Sequence, residues 1–238
     1  MGHGVAMTTF VLVHGHWHGG WAFDPVRRAL EARGHRTLAP DLPSDRPEAG
    51  AADNARAVLE AMIDVDDDAV LVGHSAGGLT IPLVARERPV ARLVFVASLL
   101  PVPGLSVADQ FAAEPDIALD GFRWTERGDG LLDMSGDVAL EYFFHDCPPG
   151  EARAAVARLR PQTERTLVEV TPLPAWPDTP RAAIACAHDR IINPRWQMRA
   201  ARERLGVEPL ALECGHSPAL ACPAVFADAL ERIARPHR

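Results

Sequence analysis

A chain of 238 residues, 47% hydrophobic, has the length of one α/β domain with an insertion rather than of two independent domains. A formal net charge of −8, from 24 basic and 32 acidic side chains without a basic run, argues against nucleic acid or an anionic membrane surface as a partner. Every basic residue is arginine, which excludes a Schiff-base lysine and a phosphate-binding lysine.

The first six residues, before Met7, are expected to be a flexible lead, and no stretch there has the length of a signal peptide. No segment approaches the roughly 18 apolar residues of a membrane span. "TFVLVH", from Thr9, is an apolar run that reads as a buried strand ending at Gly15. Asp24-Pro25 opens a helix, the aspartate placed to cap and the proline suited to the first turn. Val26, Ala29, Leu30 and Arg33 follow at helical spacing, and Gly34 stops the helix. "HRTLAPDL", from His35, is the next strand, and alanine-rich helical periodicity occupies 48–63 with Val58, Leu59 and Met62 apolar. A strand over 69–72, a helix over 76–86 and a strand over 92–98 complete the first half. Such alternation signals a parallel sheet covered on both faces.

The rhythm stops after Leu100. Residues 101–180 mix prolines, charges and aromatics, with helical pieces near 105–113, 137–144 and 150–160. It returns with a strand over 181–189, a helix capped by Asn193-Pro194 and running to Leu205, the strand "EPLALECG", and a closing helix over 218–234. The expected organisation is a core of 7–100 and 181–238 interrupted by an insertion of 101–180. Cys147, Cys186, Cys214 and Cys222 show neither a C-x-x-C pair nor zinc spacing. They are expected to be free thiols in a reducing, cytoplasmic setting, with Cys186 and Cys214 buried.

Gly73-His74-Ser75-Ala76-Gly77 fits G-x-S-x-G, the sharp turn that exposes a nucleophilic serine at the end of a strand. A serine hydroxyl needs a base, and the base needs a group to orient it. In this arrangement the order along the chain is serine, acid, histidine, each at the carboxyl end of a strand. His216 follows the last strand directly before a proline-started helix, whereas His145 in the insertion and His237 in the tail offer no rigid loop beside the turn. Asp189 ends the strand before, with one helix and one strand separating it from His216. Asp109 is the first alternative acid. Two N–H donors must also converge on the oxyanion. One is the backbone N–H of Ala76. The other is assigned to His16, in the loop "HGHWHGGW" after the first strand, whose glycines permit close approach. His14-x-His16-x-His18 lacks the Asp and following His of the H-x-H-x-D-H element of dinuclear zinc hydrolases, so no metal is expected, and no G-K-[ST] supports a phosphate loop.

"FVLVHGHWHGGWAFDPVRRALEARGHRTLAPDLP", "LVGHSAGG", "AHDRIINP" and "GHSPAL", in this order from about residue 9 to 234, resemble the α/β-hydrolase superfamily. More narrowly they are similar to the branch of plant methyl-ester esterases, hydroxynitrile lyases and bacterial relatives. The resemblance implies a six-stranded, mostly parallel sheet flanked by helices, the chain starting too late for two leading strands of the full fold. It implies that 101–180 form a mainly helical cap, and that Ser75, His216 and Asp189 are nucleophile, base and acid, with no cofactor. The lyases carry threonine where this chain has Gly15, and lysine where it has Ser217, so hydrolysis is favoured. The expected reaction is cleavage of a small aromatic or alicyclic ester through an acyl-enzyme, with a homodimer as the candidate assembly. Trp17, Phe111, Phe122, Trp124, Phe143 and Phe144 are the candidate pocket walls, and Trp176 and Trp196 are assigned to packing. Two alternatives stay open: a lyase or C–C bond-cleaving tailoring enzyme on the same scaffold, and a receptor with a vestigial triad.

Overall fold

A computed structural model describes residues 7–235, so the lead 1–6 and His237 lie outside it. Six strands make one sheet: β1 (Thr9–Val13), β2 (Arg36–Leu38), β3 (Val70–His74), β4 (Arg92–Val96), β8 (Arg181–Cys186) and β9 (Leu210–Leu212). Their order is β2-β1-β3-β4-β8-β9, and every neighbouring pair is parallel. Side chains alternate between the two faces of a strand, so each apolar strand feeds two cores. Val11, Val13, Leu71, Leu93 and Phe95 join one cluster, beneath α2 (Ala51–Ala61) and α3 (Ile81–Glu87). Phe10, Leu12, Val70, Val72, Val94 and Val96 join the other, beneath α1 (Asp24–Glu31) and α10 (Pro223–Ala234). From β1 the chain turns outward to β2 and then returns to the other side of β1 as β3. The crevice at such a reversal, at the carboxyl ends of the strands, is where ligands bind in open α/β sheets.

The predicted helices differ at their ends for local reasons. Asp24 is the first helical residue rather than the cap, and it faces Arg27 (3.6 Å) and Arg158 (3.4 Å). The helix read over 76–86 is a 3₁₀ turn at 75–79 followed by α3, whose first turn holds Pro82. The closing helix divides into α9 (Pro218–Ala221) and α10 because Cys222, before Pro223, leaves the helical region at φ −141° and ψ 55°. The helix after Asn193 is α8 (Pro194–Ala200), continued by a wider π turn to Leu205 and stopped by Gly206 at φ 69°.

Residues 101–180 are less helical than expected. Besides α4 (Val107–Ala113), α5 (Gly136–Tyr142), α6 (Pro149–Val156) and α7 (Arg165–Val168), they hold an antiparallel sheet of β5 (Thr125–Glu126), β6 (Leu131–Asp133) and β7 (Gln162–Thr163). Strands of two or three residues carry no readable periodicity, which is why the sequence shows only the helices. Among the described residues no helix is long and apolar enough to cross a membrane.

Candidate active site

The end of β3 bends sharply. Ser75 has φ 53°, a left-handed conformation that costs a non-glycine residue about 1–3 kcal/mol and persists only where neighbours impose it. The neighbours are specific. The Ser75 carbonyl accepts from Leu99 N–H (3.1 Å) and from Ser98 Oγ (2.8 Å). A Cβ on Gly77 would lie 2.2 Å from the Val13 carbonyl oxygen, so only glycine lets the turn pack on β1.

Asp189 sits just past β8 and is 3% exposed. Its Oδ1 accepts the backbone N–H groups of Ile191 (2.8 Å) and Ile192 (3.1 Å). Its Oδ2 accepts from Gln197 Nε2 (2.8 Å) and lies 2.8 Å from His216 Nδ1. With its buried acceptors so engaged, the carboxylate is fixed in place. Arg190 turns away and donates to the Glu141 carbonyl (3.3 Å). Past β9, the His216 carbonyl accepts from His74 Nε2 (2.7 Å), which docks this loop on the residue before Ser75. His216 Nε2 is buried without a hydrogen-bond partner among the described residues, and it is not bonded to Ser75 Oγ. The alternative acid, Asp109, is spent elsewhere: it accepts from Ser106 N–H (2.9 Å) as the capping box of α4.

Sequence reasoning missed Gln197, on α8. Besides holding Asp189, its Nε2 donates to the Ile192 carbonyl (2.8 Å) and its Oε1 accepts from Cys186 N–H (3.0 Å). Gln197→Leu orphans buried polar groups. It is expected to lower stability by about 1–3 kcal/mol and turnover by about three- to tenfold, measured by thermal melting and by kcat. His145 packs against the loop of His216. A Cβ on Gly215 would lie 2.5 Å from His145 Cε1, and the Gly215 N–H donates to Asp146 (2.5 Å).

The loop after β1 crosses beside the serine. A Cβ on Gly15 would meet Ser75 Cβ at 2.6 Å, so glycine is required for this approach. His14 Nε2 accepts from Leu42 N–H (3.0 Å) and its Nδ1 donates to the Gly15 carbonyl (2.8 Å). His18 Nδ1 donates to the His16 carbonyl (2.7 Å), while the His16 N–H has no partner among the described residues. The three imidazoles thus point to three different environments. Burial pushes the pKa of His14 down to about 4, those of His16 and His18 to about 3, and that of His74 well below the usual range. These four rings are neutral at working pH.

A cavity of about 390 Å³ opens on Ser75, at the small end of ligand pockets. Trp17, Phe111, Phe122, Trp124 and Phe143 line it, together with Leu99, Leu119, Leu167, Ile191 and Ile192, which the sequence reading did not select. Phe144 does not line it. It is 1% exposed and packs edge-on against His18. Trp176 packs on Phe95 and Trp196 is buried with its Nε1 on Glu114, both outside the cavity.

A parallel sheet that gathers a strained serine, a buried aspartate–histidine pair and an apolar cavity at its carboxyl edge has the layout of α/β hydrolases. The chain belongs to the Alpha/beta hydrolase family, whose model matches residues 10–229. It is 30% identical to the pyrethroid hydrolase of Sphingobium wenxiniae, over 97% of this chain and 89% of that protein. It is 29% identical to Methylesterase 2 of Arabidopsis thaliana, over 94% of this chain and 95% of that protein. The crystal structure of polyneuridine aldehyde esterase superposes with a TM-score of 0.79 at 22% identity, covering 96% of this chain and all of the other, which shows the same fold.

Proposed function

We propose that this protein is a serine-dependent carboxylesterase that cleaves a small ester through an acyl-enzyme. It is a carboxylic ester hydrolase, in keeping with relatives named as pyrethroid hydrolase, methylesterase and carbendazim hydrolyzing esterase. The observation that carries the reading is the buried Asp189–His216 contact, which leaves His216 Nε2 free on the loop docked beside Ser75. Ser75 Oγ attacks the carbonyl carbon and gives its proton to His216 Nε2. Asp189 holds the ring in the tautomer that leaves Nε2 unprotonated, and stabilises the imidazolium. The N–H groups of His16 and Ala76 receive the oxyanion. The first N–H groups of a helical turn have no partner within it, so Ala76 can donate. His216 then protonates the leaving alcohol, and water, activated the same way, releases the acid. The Ser75–His216 hydrogen bond is made when substrate tightens the site. The aromatic walls suit a flat aromatic or alicyclic group, and four unbridged cysteines suit a reducing compartment such as the cytoplasm.

Gly15 and Ser217 favour hydrolysis over the lyase reaction. A side chain at 15 has no room beside Ser75, and the position after His216 is a buried serine without a charge to hold a departing anion. A fluorophosphonate probe tests the reading directly. Stoichiometric labelling at Ser75, with turnover of aryl or methyl esters, is the expected result. Labelling without turnover of any ester points to other chemistry on the same nucleophile, and no labelling to a receptor.

Gly15→Ala places a methyl group 2.6 Å from Ser75 Cβ, well inside contact distance, and so pushes the oxyanion loop outward. A displacement near 1 Å at the reacting centre costs about a hundredfold in rate, and kcat for an aryl ester is expected to fall by about that factor. A kcat within threefold of wild type would show that the loop need not approach so closely.

A further inference from the structure

Buried polar side chains require partners, and two lie behind the oxyanion loop, both from the segment 101–180. Gln162 of β7 is 0% exposed and Thr166 of α7 is 5% exposed. Their hydrogen bonds have one consistent direction. The Trp17 N–H donates to Gln162 Oε1 (3.4 Å), which orients the amide. Gln162 Nε2 then donates to the Thr163 carbonyl (3.1 Å) and reaches Thr166 Oγ1 (3.5 Å). The Thr166 hydroxyl has its nearer acceptor in His16 Nε2, at 3.0 Å against 3.4 Å to the Thr163 carbonyl, and the shorter contact assigns its proton to His16. His16 is neutral because burial holds its pKa near 3. A neutral imidazole has one N–H, and a ring whose Nε2 accepts carries it on Nδ1. Nδ1 has no partner among the described residues, and His16 is half-buried in the wall of the cavity that opens on Ser75.

We infer that the His16 side chain is a specificity-determining donor: its Nδ1–H, oriented by Thr166 and Gln162, selects esters that carry an ether or carbonyl oxygen one or two atoms from the reacting carbonyl. This rests on the esterase reading. On that reading the backbone N–H of the same residue receives the oxyanion, and the side chain lines the cavity that opens on Ser75. The rest of the wall is apolar, apart from Ser75 and the exposed Asp120. A substrate without an acceptor strips water from Nδ1–H and returns nothing, which is the situation in which polar sites discriminate most strongly.

Two probes of equal chain length and identical leaving group test this: p-nitrophenyl methoxyacetate, which has the oxygen, and p-nitrophenyl butanoate, which does not. The quantity read is the ratio of their kcat/KM values, so that general damage to the site cancels. His16→Leu is expected to lower the ratio about tenfold, and Thr166→Val severalfold. His16→Asn, whose amide nitrogen can take the place of Nδ1, should stay within about threefold of wild type. An unchanged ratio in His16→Leu, or an equal fall in the Leu and Asn variants, overturns the inference while leaving the esterase reading intact. If His16→Leu does not fold, an unchanged ratio in Thr166→Val has the same consequence. Absence of Ser75-dependent turnover of both esters by the wild type would sink the esterase reading and this inference with it.

Discussion

Ser75→Ala is expected to lower kcat for an aryl ester by at least about 10⁴-fold, since removing the nucleophile of a serine triad costs as much as removing the triad. The fold should survive. Ser75 Oγ makes no hydrogen bond among the described residues, so its removal orphans no partner. Alanine retains the Cβ, so the backbone strain at φ 53° is unchanged, as are the bonds from Leu99 and Ser98 to the carbonyl. A melting temperature within about 2 °C of wild type, with loss of fluorophosphonate labelling, is the full expected result. Retention of more than a few per cent of wild-type turnover would mean that another group attacks the ester. The four neutral imidazoles around the turn would then be the first to examine.

The convergence of Ser75, Asp189 and His216 was legible in the sequence because each is tied to a strand end. A strand that stops at Gly73-His74-Ser75, another at Asp189 and a third before His216 fix three loops at one edge of the sheet once the strands are known to be parallel. Gln197 was not legible. It lies within α8, and only the packing of that helix against β8 brings its amide to Asp189. Phe143 and Phe144 are adjacent and chemically identical, and both meet His18 edge-on, yet only Phe143 also lines the cavity. Nothing in the pair itself tells which is which. Leu99, Ile191 and Ile192 could have been chosen. They lie in the loops after β4 and β8, at the carboxyl edge of the sheet, where position rather than aromatic character marks a cavity wall. The sheet of 101–180 could not be read, since Thr125–Glu126 and Gln162–Thr163 are pairs of polar residues whose strand character comes from their partners.

Asp189→Asn is expected to lower kcat by at least about a hundredfold with little change in KM. From sequence, Asp189 could have been an ordinary turn residue paired with Arg190, and an exposed pair contributes only about 0–1 kcal/mol. The structure puts the carboxylate in the interior with four donors aimed at it: two backbone N–H groups at Oδ1, and Gln197 and His216 at Oδ2. An asparagine can satisfy the two backbone donors only by turning its carbonyl toward Ile191 and Ile192. Its NH₂ then faces the NH₂ of Gln197, which cannot rotate without losing its bonds to Cys186 N–H and the Ile192 carbonyl. The same NH₂ faces His216 Nδ1, which must now accept. The ring proton moves to Nε2, and the base is blocked toward Ser75. In a serine protease the corresponding change costs roughly 10⁴-fold through this tautomer fault. The collision of donors adds a stability loss of about 1–3 kcal/mol, so rates should be compared well below the variant's melting temperature, where both proteins are folded. They should also be compared across pH 6 to 9, because a shifted titration of the base could imitate a tautomer fault at one pH. A fall that persists at every pH supports Asp189 as the acid. A rate within about threefold of wild type throughout would leave the four-donor site as a structural device and His216 as a base oriented by some other group.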